Sequence, residues 1–165
     1  MKFDFCLVTS WGELSRKQVI KWGTEIESRG YSVAVLSPIP LQQLSDTSIR
    51  PFVIPNYENT GTGEPIPQIE SRYDIPSLKH LAFTEQLYFG LSKPEAVHRA
   101  RQLASSMDQI FSEHSFEHTY QVRGPEIHRL LAHYLTEHHG GTSIWSDFSP
   151  FDRTFAPTTA LDGSW

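Results

Sequence analysis

Apolar positions in the N-terminal part of the chain repeat with two different periods. A short apolar run from Phe3 to Thr9 predicts a strand that is buried on both faces. From Ser15, which we expect to be the N-cap, apolar residues recur at helical spacing up to Gly30, a residue type that commonly ends helices. A second apolar run, Tyr31 to Pro38, predicts another strand. This βαβ unit implies parallel strands joined by a right-handed crossover.

The middle of the chain has a weaker pattern. Leu41 to Leu44 favours a single helical turn, and the proline-bracketed stretch 51–55 favours a strand at a sheet edge. We expect residues 55–76 to be irregular, with a loop at 56–68 that is rich in glycine, proline and polar residues. A loop of this length inside a domain is either functional or a linker, and both interpretations stay open.

Helices and strands alternate in the second half. Helical spacing predicts a helix at 77–90 and a longer one that starts at Ser92, where Glu95 completes a capping box. The elements predicted after these are a strand at 118–122, a helix at 125–138 and a strand at 142–148. The complete order, β-α-β-(β)-α-α-β-α-β, predicts an α/β fold, a Rossmann-like three-layer α/β/α sandwich with a mostly parallel, doubly wound sheet.

Length, charge and cysteine usage narrow the class of protein. A chain of 165 residues suits one domain, which we place at 1–148, with 149–165 as a C-terminal tail or the start of an interdomain linker. The formal net charge is −5 and no basic stripe is visible, so nucleic acid is not an expected partner. The lone Cys6, the lack of a signal peptide and the lack of a stretch of about 20 apolar residues predict a cytoplasmic protein without a transmembrane segment.

Three strand-to-helix junctions are expected to converge at one edge of the sheet. Doubly wound sheets bind ligands beyond the carboxyl ends of their strands, where the strand order reverses. If the first strand is central and the strand at 118–122 is its neighbour, the residues that follow these strands meet there. The candidate ligand-binding residues are Ser10, Trp11, Gly12, Arg123, Gly124, Ser149 and Pro150, and the candidate catalytic residues are Glu126 and Asp147.

The stretch QVRGPEIHRLL, residues 121–131, has two interpretations. Gly124 permits a tight turn, Pro125 suits the first helical position, and Glu126 suits the positive end of the helix dipole. Arg123 would then face either an anionic ligand or Glu126 itself. Since Glu126 would also repel a phosphate, a strand-to-helix junction with an internal ion pair fits the pattern as well as a ligand site does.

Motifs for nucleotide and metal chemistry are weak. The chain has neither a G-x-G-x-x-G fingerprint nor a P-loop, so dinucleotide binding and nucleoside triphosphate hydrolysis are not supported. His114, Glu117 and His118 spell H-x-x-E-H, but that zinc site needs a continuous helix. Here the pattern spans a predicted helix-to-strand transition. We therefore predict no metal site and no cofactor.

The second half of the chain carries a family resemblance. Its segments are TEQLYFGLSKPEAVHRARQLASSMDQIF (84–111), YQVRGPEIHRLLAHYL (120–135) and TSIWSDFSPFDRTF (142–155). Together they resemble the N-terminal half of capsule-polysaccharide biosynthesis proteins, which belong to the broad group of two-domain, GT-B-type glycosyltransferases. The likeness covers roughly residues 84 to 155, and a generic βαβ unit precedes it.

This resemblance implies the acceptor-side domain of a GT-B-like glycosyltransferase in capsular or surface polysaccharide biosynthesis. The partner would be a glycan acceptor, and a second Rossmann-like domain or subunit would bind the nucleotide-sugar donor. Because 165 residues leave no room for that domain, we expect this chain alone not to transfer sugar. The residues that would line the cleft are Arg123, Gly124, Glu126, Ser149 and Pro150, with Asp147 and Glu85 as additions.

Two other functions fit the same residues. A stand-alone Rossmann-like module would hold a small anionic ligand at Arg123 and Gly124 without catalysis. A structural or assembly protein would use the sheet edge or the helices at 77–115 as an interface. The glycan-acceptor hypothesis predicts an open aromatic surface around Trp11, Trp145, Phe148 and Phe151, although we expect Trp145 to belong to the core.

Overall fold

Six strands and five α-helices occupy the described part of the chain. The computed structural model describes residues 1–54, 66–122, 124, 126–148 and 155–158. The strands are β1 (Lys2–Val8), β2 (Val33–Ser37), β3 (Arg50–Val53), β4 (Ser115–Val122), β5 (Thr142–Phe148) and β6 (Phe155–Thr158). The helices are α1 (Glu13–Ser28), α2 (Ile66–Tyr73), α3 (Leu78–Phe89), α4 (Lys93–Glu113) and α5 (Ile127–His138), and a 3₁₀ turn occupies Gln42–Leu44.

The strands form one sheet with the order β3-β2-β1-β4-β5-β6. Strands β1 to β5 are parallel, and β6 pairs antiparallel with β5 at the edge. In the centre of the sheet, Leu7 lies opposite Val35 on one side and Tyr120 on the other. The chain therefore has the predicted Rossmann-like α/β fold, with the reversal of strand order next to β1.

Two apolar cores lie on the two faces of the sheet. Helix α1 and the 3₁₀ turn bury Val19, Leu41 and Leu44 against Leu7 and Val35 on one face. Helices α2 to α5 build the larger core on the opposite face. Right-handed crossovers produce this division, because the chain first moves outwards from β1 to β2 and β3 and then returns through α2 to α4 to add β4 on the other side of β1. The carboxyl ends of β1 and β4 therefore lie side by side.

Local sequence signals explain how α1 begins and ends. Gly12 is the N-cap, so the predicted cap at Ser15 is wrong by one turn. The Ser15 Oγ instead accepts a hydrogen bond from the Ser10 N–H at 3.1 Å, which tightens the loop after β1. Gly30 follows the helix with a φ of +90°, where a side chain would be strained, and confirms the predicted stop.

Two elements form where the sequence pattern indicated none. Helix α2 lies within the stretch 55–76 that was expected to be irregular, and it buries Ile69 and Tyr73 against the larger core. Strand β6 lies in the predicted tail and gains its structure by pairing with β5. Both elements are too short for the hydrophobic period to predict them. They form because the rest of the fold supplies the residues against which they pack or pair. Most of the predicted loop 56–68 lies outside the described residues.

Candidate functional site

The loop after β1 is held by its own hydrogen bonds. Ser10 is buried, and its Oγ accepts from the Gly12 N–H at 3.1 Å. The Trp11 carbonyl accepts a hydrogen bond from the Arg16 guanidinium. These contacts direct the half-buried Trp11 ring towards α3 and α5, where it lies 6.3 Å from the Phe89 ring and 6.5 Å from His128. Of the three predicted residues in this loop, Trp11 therefore reaches the aromatic end of α3.

The junction between β4 and α5 contains an internal ion pair between Arg129 and Glu126; the predicted partner of Glu126, Arg123, lies outside the described residues. Arg129 Nη1 donates to the Val122 carbonyl at 2.8 Å and lies 3.4 Å from the Glu126 carboxylate. Arg129 is buried, so the Glu126 carboxylate compensates for the water that the guanidinium has lost. A Cβ added at Gly124 would overlap the Arg129 guanidinium and lie 2.6 Å from Glu126 Oε2. Gly124 is therefore required for close packing of this corner.

A second carboxylate occupies the amino end of α5. Glu85, from α3, is 1% exposed, and its Oε1 accepts a hydrogen bond from the Ile127 N–H at 3.3 Å. Its Oε2 lies 3.2 Å from Arg99 Nε, and the Arg99 side chain is 14% exposed. Burial raises the pKa of Glu85, while Arg99 and the Ile127 N–H act in the opposite direction. The position that an anionic ligand would take at this helix end is filled from within the protein.

His128 connects α5 to the end of β1 by a hydrogen bond. Its Nε2 lies 2.7 Å from the Thr9 carbonyl oxygen, which can only accept, so Nε2 carries the proton. The ring is completely buried, and burial lowers the pKa of His128 to about 4, helped by the nearby Arg129 and Arg99. His128 is therefore neutral at physiological pH and acts as a structural contact beneath Trp11.

Aromatic side chains and a small cavity lie next to the Glu85–Arg99 and Glu126–Arg129 pairs. The Arg99 guanidinium carbon lies 5.1 Å from the centre of the Trp11 ring and 4.6 Å from that of Phe89. These distances suit cation–π contacts, so Arg99 holds both rings in place. Beside them, Thr84, Tyr88, Phe89 and Glu126 line a cavity of about 160 Å³. The described lining of this cavity therefore combines two aromatic rings, a hydroxyl group and a carboxylate.

The remaining predicted site residues have different outcomes. Asp147 lies in β5, and its side chain is outside the described part of the structure. Arg123, Ser149 and Pro150 are also outside the described residues. Trp145 is 1% exposed and belongs to the core, as expected, so it does not contribute to an open surface.

The sequence pattern did not reveal Arg99, His128, Tyr88 or Phe89 as parts of this region. Glu85 was named through the family resemblance, and the structure places it against the start of α5. A signal existed for Arg99, because it follows the inward-facing Ala96 by three residues, on the same side of α4. The aromatic pair ends α3 just before Gly90, and their orientation depends on how α3 packs against α4 and α5.

The H-x-x-E-H spacing does not form the helical zinc motif. His114 ends α4, whereas Glu117 and His118 belong to β4. Within the described ranges, no three His, Cys, Asp or Glu side chains are grouped so that they could hold a metal ion. Nor does any helix in those ranges have the length and apolar character needed to cross a membrane.

The arrangement suits recognition of a polar, uncharged ligand. Aromatic rings offer flat apolar surfaces, and Glu126 offers a carboxylate at 15% side-chain exposure that can accept hydrogen bonds. The neighbouring Arg99 and Arg129 already have carboxylate partners. No known protein family, curated protein or solved structure matches this chain, so its function has to be inferred from this geometry.

Proposed function

We propose that this chain is the acceptor-side domain of a GT-B-like glycosyltransferase in capsular or surface polysaccharide biosynthesis, and that its cleft binds a glycan. The observation that carries the proposal is the cavity lined by Tyr88, Phe89 and the Glu126 carboxylate, with the Trp11 ring 6.3 Å from that of Phe89. A sugar ring has an apolar C–H face that packs on aromatic rings and hydroxyls that donate to carboxylates. The cleft offers both kinds of partner at one edge of the sheet, where ligands of this fold bind.

Charge pairing makes the alternative, a module for small anions, the weaker proposal. Arg99 is engaged by Glu85, and Arg129 by Glu126. The Ile127 N–H, which would otherwise donate to a phosphate at the start of α5, already donates to Glu85. An anion entering here would meet two carboxylates and would have to displace one of them, at the cost of separating a buried carboxylate from its arginine.

In this proposal Glu126 is the candidate general base. Its carboxylate lines the cavity next to Tyr88, where an acceptor hydroxyl would donate a hydrogen bond to it. Transfer would also require a nucleotide-sugar donor, held by a second Rossmann-like domain or subunit on the opposite side of the cleft. Without that partner, the expected property of this chain is binding rather than turnover.

The proposal is tested by NMR titration of the isotopically labelled chain with neutral hexose and N-acetylhexosamine disaccharides. We expect shifts concentrated at the Trp11 indole, Phe89 and Glu126. Tyr88→Ala should weaken binding by about tenfold or more, because it removes one aromatic wall. Tyr31→Ala is the matched control, since Tyr31 is half exposed at the start of β2, remote from the cleft.

Two results would overturn the proposal. One is a chain that responds to inorganic phosphate or a nucleoside diphosphate but to no disaccharide, which would favour the anion-binding module. The other is a chain that responds to none of these probes and forms a stable oligomer, which would favour an assembly role.

A further inference from the structure

A second surface on α3 is apolar and faces solvent. Phe83 and Leu87 lie one helical turn apart, with 54% and 65% of their surfaces exposed. They project from the side opposite Leu78, Ala82 and Glu85, which are buried. Four of the seven large exposed hydrophobic residues in the described ranges fall within positions 83–89. Such a concentration is unusual for a surface that only contacts water.

Two lysine side chains lie beside this surface. A groove of about 560 Å³ beside Phe83 is lined by Lys79, His80, Phe83, Gln86 and Lys93. Two described carboxylates lie close to the ends of this surface, and both accept backbone hydrogen bonds: Glu70 Oε1 from the Leu78 N–H at 2.7 Å, and Glu95 Oε2 from the Ser92 N–H at 2.8 Å in the capping box. The local surface is thus cationic, although the whole chain carries a net charge of −5. We call Lys79, Phe83, Leu87 and Lys93 the α3 outer face.

We propose that the α3 outer face docks on an anionic phospholipid surface. Two lysines complement lipid phosphates, and their long side chains can reach the headgroups while Phe83 and Leu87 enter the interface. A protein partner fits less well, because a stable protein interface needs about 800 Å² on each side. Two apolar side chains on a helix of 12 residues do not offer that area.

Docking in this orientation would hold the cleft close to the membrane. Phe83 on the outer face and Phe89 in the cleft are six residues apart on one helix, which corresponds to about 9 Å along its axis. The membrane proposal does not depend on sugar binding, because it is carried by Lys79, Lys93, Phe83 and Leu87 alone.

Flotation with vesicles provides the test. We expect the chain to bind phosphatidylcholine vesicles that contain phosphatidylglycerol and to bind pure phosphatidylcholine vesicles far less. Phe83→Ser with Leu87→Ser should weaken binding by about tenfold or more, since both apolar contacts are lost. Lys79→Glu with Lys93→Glu should have an effect of at least the same size and should abolish the preference for the anionic lipid.

Lys17→Glu with Lys21→Glu on α1 is the matched control, because it changes the net charge equally on another helix. Equal losses in the two lysine pairs would show a net-charge effect and overturn the proposal. So would a wild-type chain that does not float, or one that binds soluble polyglutamate instead of vesicles. Disaccharide titration of the Phe83→Ser, Leu87→Ser variant should remain unchanged, which separates failure of this proposal from failure of the glycan proposal.

Discussion

The β4–α5 junction and helix α3 differ in how they use their polar and aromatic groups. At the junction every conspicuous group has an internal partner: Arg129 with Glu126, the Ile127 N–H with Glu85, and His128 with the Thr9 carbonyl. On α3 the conspicuous groups, among them Phe83 and Tyr88, face solvent. A motif that stands out in a sequence can therefore be architectural, while an unremarkable helix provides the surfaces available to ligands.

The largest effect on this difference is expected from removing the Glu85 carboxylate at the junction. Glu85→Ala should lower the free energy of unfolding by about 3–5 kcal/mol, because it removes the buried carboxylate that faces Arg99 and accepts from the Ile127 N–H. Glu85→Gln should cost less, since its amide oxygen can still accept from Ile127. Urea unfolding measures both.

The control for this prediction is Glu25→Ala, which breaks the exposed Glu25–Arg29 pair. Exposed pairs contribute little, so its effect should be far smaller than that of Glu85→Ala. Equal effects of the two substitutions would contradict the view that Glu85 supports the junction.

Gly124→Ala tests how tightly the corner is packed. The added methyl group would meet the Arg129 guanidinium, which cannot move without breaking its hydrogen bond to Val122, so we expect a loss of up to about 3 kcal/mol. Gly12→Ala is the matched control, because its Cβ would make an ordinary 3.4 Å contact with Ser10 Oγ. Thermal unfolding that ranks Gly12→Ala as the more harmful substitution would refute this account.

His128 makes the junction sensitive to acid. The unfolded chain binds a proton at this residue near pH 6.5 and the folded chain near pH 4, so protons favour the unfolded state between these values. Stability should fall by about 2 kcal/mol from pH 7 to about pH 5 through this residue alone. The half-buried His133 and the exposed His139 also have lowered pKa values, with desolvation as the largest cause, and act in the same direction.

His128→Gln isolates the contribution of His128 to this pH dependence. The variant should be less stable at pH 7 but should lose less stability on acidification, whereas the exposed His98→Gln should keep the wild-type dependence. Denaturant titrations at a series of pH values provide the measurement. An unchanged pH slope in His128→Gln would contradict the burial argument.

The smallest effects are expected on α3. Phe83→Ser and Leu87→Ser should each change the free energy of unfolding by no more than about 0.5 kcal/mol, because both side chains already face water in the folded state. Calorimetry of the two variants checks this. A large loss of stability would mean that these residues support the fold rather than form a docking surface.

Much of the architecture was predictable from the sequence because it depends on local repetition. The hydrophobic period predicts segments such as α1, α4 and β1. The capping box of Ser92 and Glu95 also lies where its spacing predicts. The candidate site was less predictable. Trp11, Gly124 and Glu126 were identified as junction residues, but the pairing of Arg129 with Glu126 was not anticipated.

The sequence by itself determined the order of all elements except α2 and β6, the parallel doubly wound sheet and the edge at which its strand ends meet, because hydrophobic period and crossover handedness act through neighbouring residues. Only the tertiary structure decided that Glu85 would fill the amino end of α5, that Arg99 would hold Trp11 and Phe89, and that Phe83 would face solvent. These contacts join residues far apart in the chain. Their geometry depends on how whole helices pack, which local spacing does not encode.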